Sequence, residues 1–188
     1  MTHPGQQFPS IPGSPKDLEP VEKAMLAMSY GVHVIGSTSA EGQLNAMIAD
    51  WVMQVSFTPR LVCVAIENDA RTLKNVRATQ VFSVNMLHEK DGDQIARAVV
   101  MPSDGSKIRG RSAAASAATH DKLRGLRYSL SPDGCPLLDD ALGWYTCVAE
   151  QFINAGDHTL VVGRVIDGDR LRDGEMLIER DLGWEYAG

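Results

Sequence analysis

Three short stretches of this chain carry side chains whose types and spacing could do chemistry. The first runs from Asn45 to Phe57, where Asn45, Asp50, Gln54 and Ser56 interrupt an otherwise apolar run. A strand of that kind can form the wall of a ligand site, meeting a flat organic ring with backbone and a few polar atoms; the alternative is a half-buried strand with a polar edge. The second is Glu67-Asn68-Asp69-Ala70-Arg71-Thr72, where an apolar run gives way to a helical pattern. Free N–H groups and the helix dipole favour an anion at such a start, and Arg71 and Thr72 add a cation and a hydroxyl. An ordinary capped helix that binds nothing is the competing reading. The third is Gly156-Asp157-His158, a turn ahead of the apolar Thr159 to Val162. A neutral imidazole donates one hydrogen bond and accepts another, which suits positioning an amide or a ring edge. A strand-end histidine bonded to its own turn is the alternative.

The elements that must position these groups follow from periodicity. Odd positions from Met47 to Phe57 are apolar (Met47, Ala49, Trp51, Met53, Val55, Phe57), which predicts a strand, or two strands across a bend, with one face in a core. Strands are also expected over Val32–Ser37, Leu61–Ile66 (apolar throughout, so buried on both faces), Val81–Leu87, Tyr128–Ser131, Gly143–Asn154 and His158–Asp167. Helical spacing predicts a helix from Asp17 to about Met28 with Pro20 in its first turn, one running from an Asp69 N-cap to Thr79, and one over Asp91–Val100. Val21, Ala24, Met25 and Met28 form an apolar stripe of the kind used for core or dimer contact. Residues 1–16, rich in Pro, Gly and Ser, read as a mobile tail ahead of a single domain over 17–188. Residues 101–127 lose periodicity and carry the basic cluster Lys107 to Arg111, either a solvated excursion or a cover over a ligand. The count is about seven strands in hairpin-like succession with three or four helices. That is too few crossovers for a parallel sheet, and it points to an antiparallel barrel with peripheral helices.

Composition narrows the function classes. The 188 residues carry a formal charge of −6 and a sequence pI near 5.3, which argues against nucleic-acid or anionic-membrane binding. No run approaches the ~18 consecutive apolar residues of a membrane span. Three widely spaced cysteines, Cys63, Cys135 and Cys147, suit reduced thiols in a cytoplasm. The five histidines show no metal-ligand spacing, and Asp167-Gly168-Asp169 and Asp173-Gly174-Glu175 fail the calcium-loop pattern. No Gly-x-Gly-x-x-Gly, Walker or Gly-x-Ser-x-Gly motif is present.

Asn45-Ala46-Met47-x-x-x-Trp51-x-x-Gln54-x-Ser56-Phe57-x-Pro59 resembles the signature of the flavin reductase-like family, the FMN-binding split barrels. Similar blocks follow in the family's order at Leu61–Ile66, Val81–Leu87, Asp140–Trp144, Ala155–Leu160 and Asp181–Tyr186. The resemblance implies an antiparallel Greek-key split barrel, normally a homodimer with flavin at the subunit interface. It further implies a flavoprotein oxidoreductase that takes hydride from NADH or NADPH onto FMN. Electrons would then pass to free flavin, ferric iron, or a partner monooxygenase or redox protein. A bound-FMN electron carrier and a flavin-binding barrel without turnover remain open beside it. By the same resemblance Asn45, Ala46 and Met47 line the isoalloxazine, and Ala49, Asp50 and Trp51 continue that wall. Glu67, Asn68, Arg71 and Thr72 hold the ribityl chain and phosphate, Asn85 supports that region, and His158 stands where nicotinamide stacks. Asp50 departs from the small residue usual there, so its carboxylate requires a partner or solvent. Trp184 and Tyr186 near the terminus suit docking on the core or on a neighbouring subunit.

Overall fold

The computed structural model describes residues 19–25, 27–100 and 121–182. The expected tail, the Asp17 cap, residues 101–120 of the excursion, and Trp184 and Tyr186 lie outside these residues. The described chain forms β1 (His33–Thr38), β2 (Leu44–Ala49), β3 (Val52–Ser56), β4 (Leu61–Glu67), β5 (Val81–Met86), β6 (Tyr128–Leu130), β7 (Pro136–Leu138), β8 (Gly143–Ala155) and β9 (His158–Arg170). Helices α1 (Pro20–Met25), α2 (Arg71–Thr79) and α3 (Gly92–Val99) and a 3-10 helix, Glu179–Leu182, complete it.

Seven strands form one sheet in the order β2-β1-β5-β8-β9-β4-β3, and all of their pairings are antiparallel. The two end strands, β2 and β3, are neighbours in sequence, separated only by Asp50 and Trp51. A corner at those residues therefore carries the chain from one edge of the sheet to the other and closes the barrel. The corner is tight: Val52 N–H donates to the Asp50 carbonyl at 2.9 Å, and the Trp51 carbonyl accepts from Ala65 N–H of β4 at 3.0 Å. Of the two arrangements that alternation allowed, the chain adopts two strands across a bend.

Two apolar clusters flank β1 and β2. One fills the barrel, with Ile35, Ala49, Val62, Val64, Ile66, Phe82, Val84, Cys147, Ala149 and Val161 from the strands and Leu73 and Val76 from α2. The other lies on the outer face, where Val34 and Ala46 meet Ile95, Ala96 and Val99 of α3, Leu138 of β7, Leu177 and Leu182. Fully burying a side chain such as Phe82 stabilises by roughly 1.5–3 kcal/mol. Phe82 also explains Gly163, since a Cβ there would stand 2.6 Å from its ring.

The alternation has a different meaning on each side of the corner. Met47 and Ala49 pack into the barrel, but Leu44, Ala46 and Ile48 pack on the outer cluster, so β2 is covered on both faces. Beyond the corner Met53, Val55 and Phe57, expected in a core, are 63%, 46% and 86% exposed. Met53 and Val55 ride on a strand that ends the sheet, with Phe57 just beyond it, and no further strand pairs with its outer edge among the described residues. Helix α1 is shorter than expected, and Val21, Met25 and Met28 face solvent rather than the core. The N-cap of α2 is Ala70, not Asp69, because a turn from Ala70 N–H to the Glu67 carbonyl at 3.0 Å delays the helix by one residue.

His33 braces the corner from inside. It is 5% exposed, and its Nδ1 lies 3.3 Å from the carbonyl of Ala49, the last residue before the bend. Burial holds its pKa down to about 4, against the raising effect of the Ala49 and Gly31 backbone groups. The unfolded chain takes up this proton near pH 6.5 and the native chain only near pH 4, so stability falls as pH drops through that window. We expect a loss of about 3 kcal/mol there, read by urea unfolding at several pH values. A His33→Gln variant should lack that part of the slope; an unchanged slope in the variant would show that His33 does not cause it.

Candidate functional site

The three stretches singled out in the sequence meet at one end of the barrel. Strand β4 ends at Glu67, whose Cα is registered opposite His158, the first residue of β9. Asn68 then binds the loop to the β8–β9 turn three times. Its N–H donates to the Asp157 carbonyl at 2.9 Å, its Nδ2 donates to the Gly156 carbonyl at 3.0 Å, and its Oδ1 accepts from Thr159 Oγ1 at 2.8 Å. Both amide atoms are thereby committed to the fold, and Asn68 acts as a clasp that holds the loop after Glu67 to the turn before His158.

Helix α2 starts immediately beyond. Its N-cap Ala70 is extended, at φ −65° and ψ 137°, and gives no side-chain cap. Ala70 itself thus offers the first-turn N–H groups no side-chain acceptor, which suits an anion at this end. Arg71 is exposed at this end. Thr72 is 1% exposed, and its Oγ1 accepts from Asn45 Nδ2 at 2.9 Å. The hydroxyl is turned inward, joining β2 to α2, so Thr72 can offer an anion its N–H more readily than its side chain. This bond also accounts for Asn45 standing among apolar positions.

The corner supplies the other wall. Trp51 is half-buried, with its ring centroid 5.0 Å from that of His158 and the planes inclined at 46°. Tyr30 also tilts against Trp51, with ring centroids 6.4 Å apart. Met47 of β2 is half-buried against the barrel cluster, while Ala46 is 0% exposed and Ala49 6%, so these two contribute backbone or close packing only. Asp50 is half-buried. Burial raises its carboxyl above the usual range, opposed by its own and the Trp51 N–H groups and by the charge of His158. Those two N–H groups and the facing imidazole are the partners its carboxylate requires.

His158 Nδ1 lies 2.7 Å from Asp157 Oδ1. An ionised carboxylate only accepts, so Nδ1 carries the proton, and Nε2 of the neutral ring is left as an acceptor. The same bond holds the Asp157 carboxyl below its ordinary pKa.

Asn85 does not belong to this site. It is 0% exposed, its Nδ2 donates to the Val34 carbonyl at 3.1 Å and the Pro136 carbonyl at 3.3 Å, and its Oδ1 accepts from Leu138 N–H at 2.8 Å. It is a strut that fastens β7 to β5 and β1, with no surface to offer a ligand. Sequence reasoning missed Tyr30 and Glu179, which reach the corner from the two ends of the described chain. No local pattern marked either of them. Among the described residues no cluster of His, Cys, Asp or Glu could hold a metal ion.

Known proteins resemble this chain in sequence and in fold. The chain is 26% identical over 149 residues to a probable flavin reductase of Rhizobium meliloti, a match covering 79% of this chain and 42% of that protein. It is 26% identical to the reductase component of the flavin-dependent trigonelline monooxygenase of Acinetobacter baylyi, over 72% of this chain and 38% of that protein. The chain thus spans less than half the length of either relative. Among solved structures, the Streptomyces globisporus NADH:FAD oxidoreductase superposes with a TM-score of 0.70 at 23% identity, over 91% of this chain and 93% of that one, and shares its fold. The flavin reductase like domain matches residues 25–181, from the end of α1 through the 3-10 helix and across every part of the site, and the chain belongs to that family.

Proposed function

We propose that this protein is an NAD(P)H-dependent flavin reductase, and the observation that carries this reading is the contact of Trp51 with His158, at a turn that Asn68 ties to the loop before α2. The donor set fits FMN. Arg71 and the first-turn N–H groups of α2 supply charge-assisted bonds suited to a phosphate. The β2 backbone at Asn45, Ala46 and Met47, with the corner Ala49-Asp50-Trp51, supplies a wall for a flat ring, and Glu67 and Asn68 border it. A bound flavin would supply the acceptor for a hydride from NADH or NADPH, a reaction that asks little acid or base of the protein.

The chain's own residues orient and shield. His158 Nε2, left as an acceptor by the bond to Asp157, is suited to receive an N–H of the nicotinamide carboxamide and fix that ring against the flavin wall. The Trp51 ring backs His158 and limits its rotation. Positioning of this kind matters because a displacement of ~1 Å can cost about a hundredfold in rate. The names of the relatives favour onward delivery to a partner monooxygenase over a sealed electron carrier. Three free, buried thiols suit a cytoplasmic setting. No described helix is long and apolar enough to cross a membrane.

A homodimer belongs to the same proposal. The exposed Met53, Val55 and Phe57 of β3 and Val21, Met25 and Met28 near α1 are more apolar surface than an isolated barrel needs. A light-scattering mass near twice 20.4 kDa is expected at micromolar concentration, and a mass of one chain would contradict it. The phosphate assignment is tested by titrating FMN and riboflavin into the wild type and Arg71→Ala. FMN should bind the wild type more tightly, and the variant should lose about 1.5–3 kcal/mol for FMN with riboflavin unchanged. Equal loss for both ligands would remove Arg71 from the phosphate.

A further inference from the structure

The β8–β9 turn holds a carboxylate against an imidazole, and its backbone is pinned from outside. Gly156 takes a left-handed φ of 69°, which lets β8 reverse into β9 across two residues. The Gly156 and Asp157 carbonyls accept from Asn68 Nδ2 and N–H, and Thr159 Oγ1 donates to Asn68 Oδ1. His158 is registered between two strands, opposite Ala155 of β8 and Glu67 of β4. From this fixed backbone the Asp157 carboxylate reaches His158 Nδ1 at 2.7 Å. The two side chains are unequally placed: that of His158 is 15% exposed and that of Asp157 93%. The imidazole therefore packs against Trp51 while the carboxylate meets it from the solvent side.

A pair so open to water adds little to stability. Its effect is on the polarity of the ring. Which nitrogen of a neutral imidazole carries the hydrogen is set by the bond that the other nitrogen makes. An ionised carboxylate only accepts, so the hydrogen sits on Nδ1 and Nε2 presents a lone pair. Among the described residues no hydrogen bond engages Nε2. Without the Asp157 carboxylate the ring could carry its hydrogen on either nitrogen, and Nε2 would donate or accept as its partner required.

Resting on the function proposed above, we infer that Asp157 is a positioning residue that fixes His158 as a hydrogen-bond acceptor, so that the site selects a coenzyme whose ring side group carries an N–H. The nicotinamide carboxamide has such a group, an NH2 beside its carbonyl. A 3-acetylpyridine ring keeps the carbonyl and puts a methyl where the NH2 stood, so it offers Nε2 nothing to accept. The selection falls on the side group of the ring and is independent of the adenosine phosphate that separates NADPH from NADH. Asp157 stays ionised, acts through His158 alone and takes no part in the hydride step.

The test uses the full chain loaded with FMN at pH 8, above the range in which an imidazole ordinarily takes a second proton. The half-saturating concentrations of NADH and of reduced 3-acetylpyridine adenine dinucleotide for flavin bleaching are compared in the wild type, Asp157→Ala and Asp157→Glu. Limiting rates are left out of the comparison because the two rings differ in hydride-donating power. The wild type should need about three- to tenfold more of the analogue than of NADH. Asp157→Ala should bring that ratio close to one and Asp157→Glu should restore part of it, with FMN affinity unchanged in both. Nitrogen-15 spectra of histidine-labelled protein, assigned with His158→Ala, give a readout independent of turnover. The wild-type His158 ring should show its hydrogen on Nδ1, and the Asp157→Ala ring a mixture of the two forms. A merely structural Asp157 would raise both half-saturating concentrations together and leave their ratio and the tautomer as they are. A wild-type ratio near one, the same ratio in Asp157→Ala, or a wild-type ring with its hydrogen on Nε2, with bleaching intact, would overturn this role alone. Bleaching absent with both coenzymes, with FMN bound, would overturn the reductase reading and this role together.

Discussion

The structure depends on one covalent constraint: the strands at the two ends of the sheet are joined by only two residues. A seven-stranded sheet whose terminal strands are so connected has to roll into a barrel, and the corner at Asp50 and Trp51 is where it does so. The bond from Ala65 N–H to the Trp51 carbonyl and the His33 imidazole under Ala49 hold that corner from two sides. Because β4 and β9 are neighbours in the sheet, closing it at Trp51 also carries that indole to the start of β9. The contact between Trp51 and His158 is therefore a consequence of closure, and the candidate site lies where the barrel is sealed.

A second pattern concerns the polar residues. Asn45, Asn68, Thr72 and Asn85 all look like ligands in sequence, yet each has its amide or hydroxyl committed to another part of the fold. A buried polar group left without a partner costs about 1–3 kcal/mol, so these bonds fix the relative placement of β2, α2, β7 and the β8–β9 turn. The groups left to meet a ligand are few: Arg71, the first-turn N–H groups of α2, the β2 backbone, Trp51 and His158 Nε2. In the proposed reading such a set would be rigid where it holds a ring and open where it meets a phosphate.

Much of this was legible in the sequence because strong periodicity and local turn chemistry coincide. β1, β4, β5, α2, α3 and the long β8–β9 hairpin lie within a residue or two of where spacing puts them, apart from a few extra residues at the end of β9. What escaped has physical causes. Alternation locates a strand but not what covers it, so Met53, Val55 and Phe57 read as core although their strand ends the sheet and faces outward. β7 is three residues long and begins with Pro136, too short to show any period. Asp69 is a good capping residue by type, but the turn at Ala70 displaced it. Tyr30 and Glu179 reach the corner only through a bridge between segments nearly 150 residues apart, and no local pattern encodes that.

The central claim is that the corner and the start of β9 together present a nicotinamide to a flavin. It is tested most directly by mixing the FMN-loaded protein with NADH or NADPH in an anaerobic stopped-flow instrument and following loss of the flavin absorbance. The wild type should bleach with at least one coenzyme. His158→Ala should bind FMN nearly as well and bleach about ten- to a hundredfold more slowly. No bleaching of the wild type by either coenzyme, or equal rates in the wild type and His158→Ala, would contradict the account.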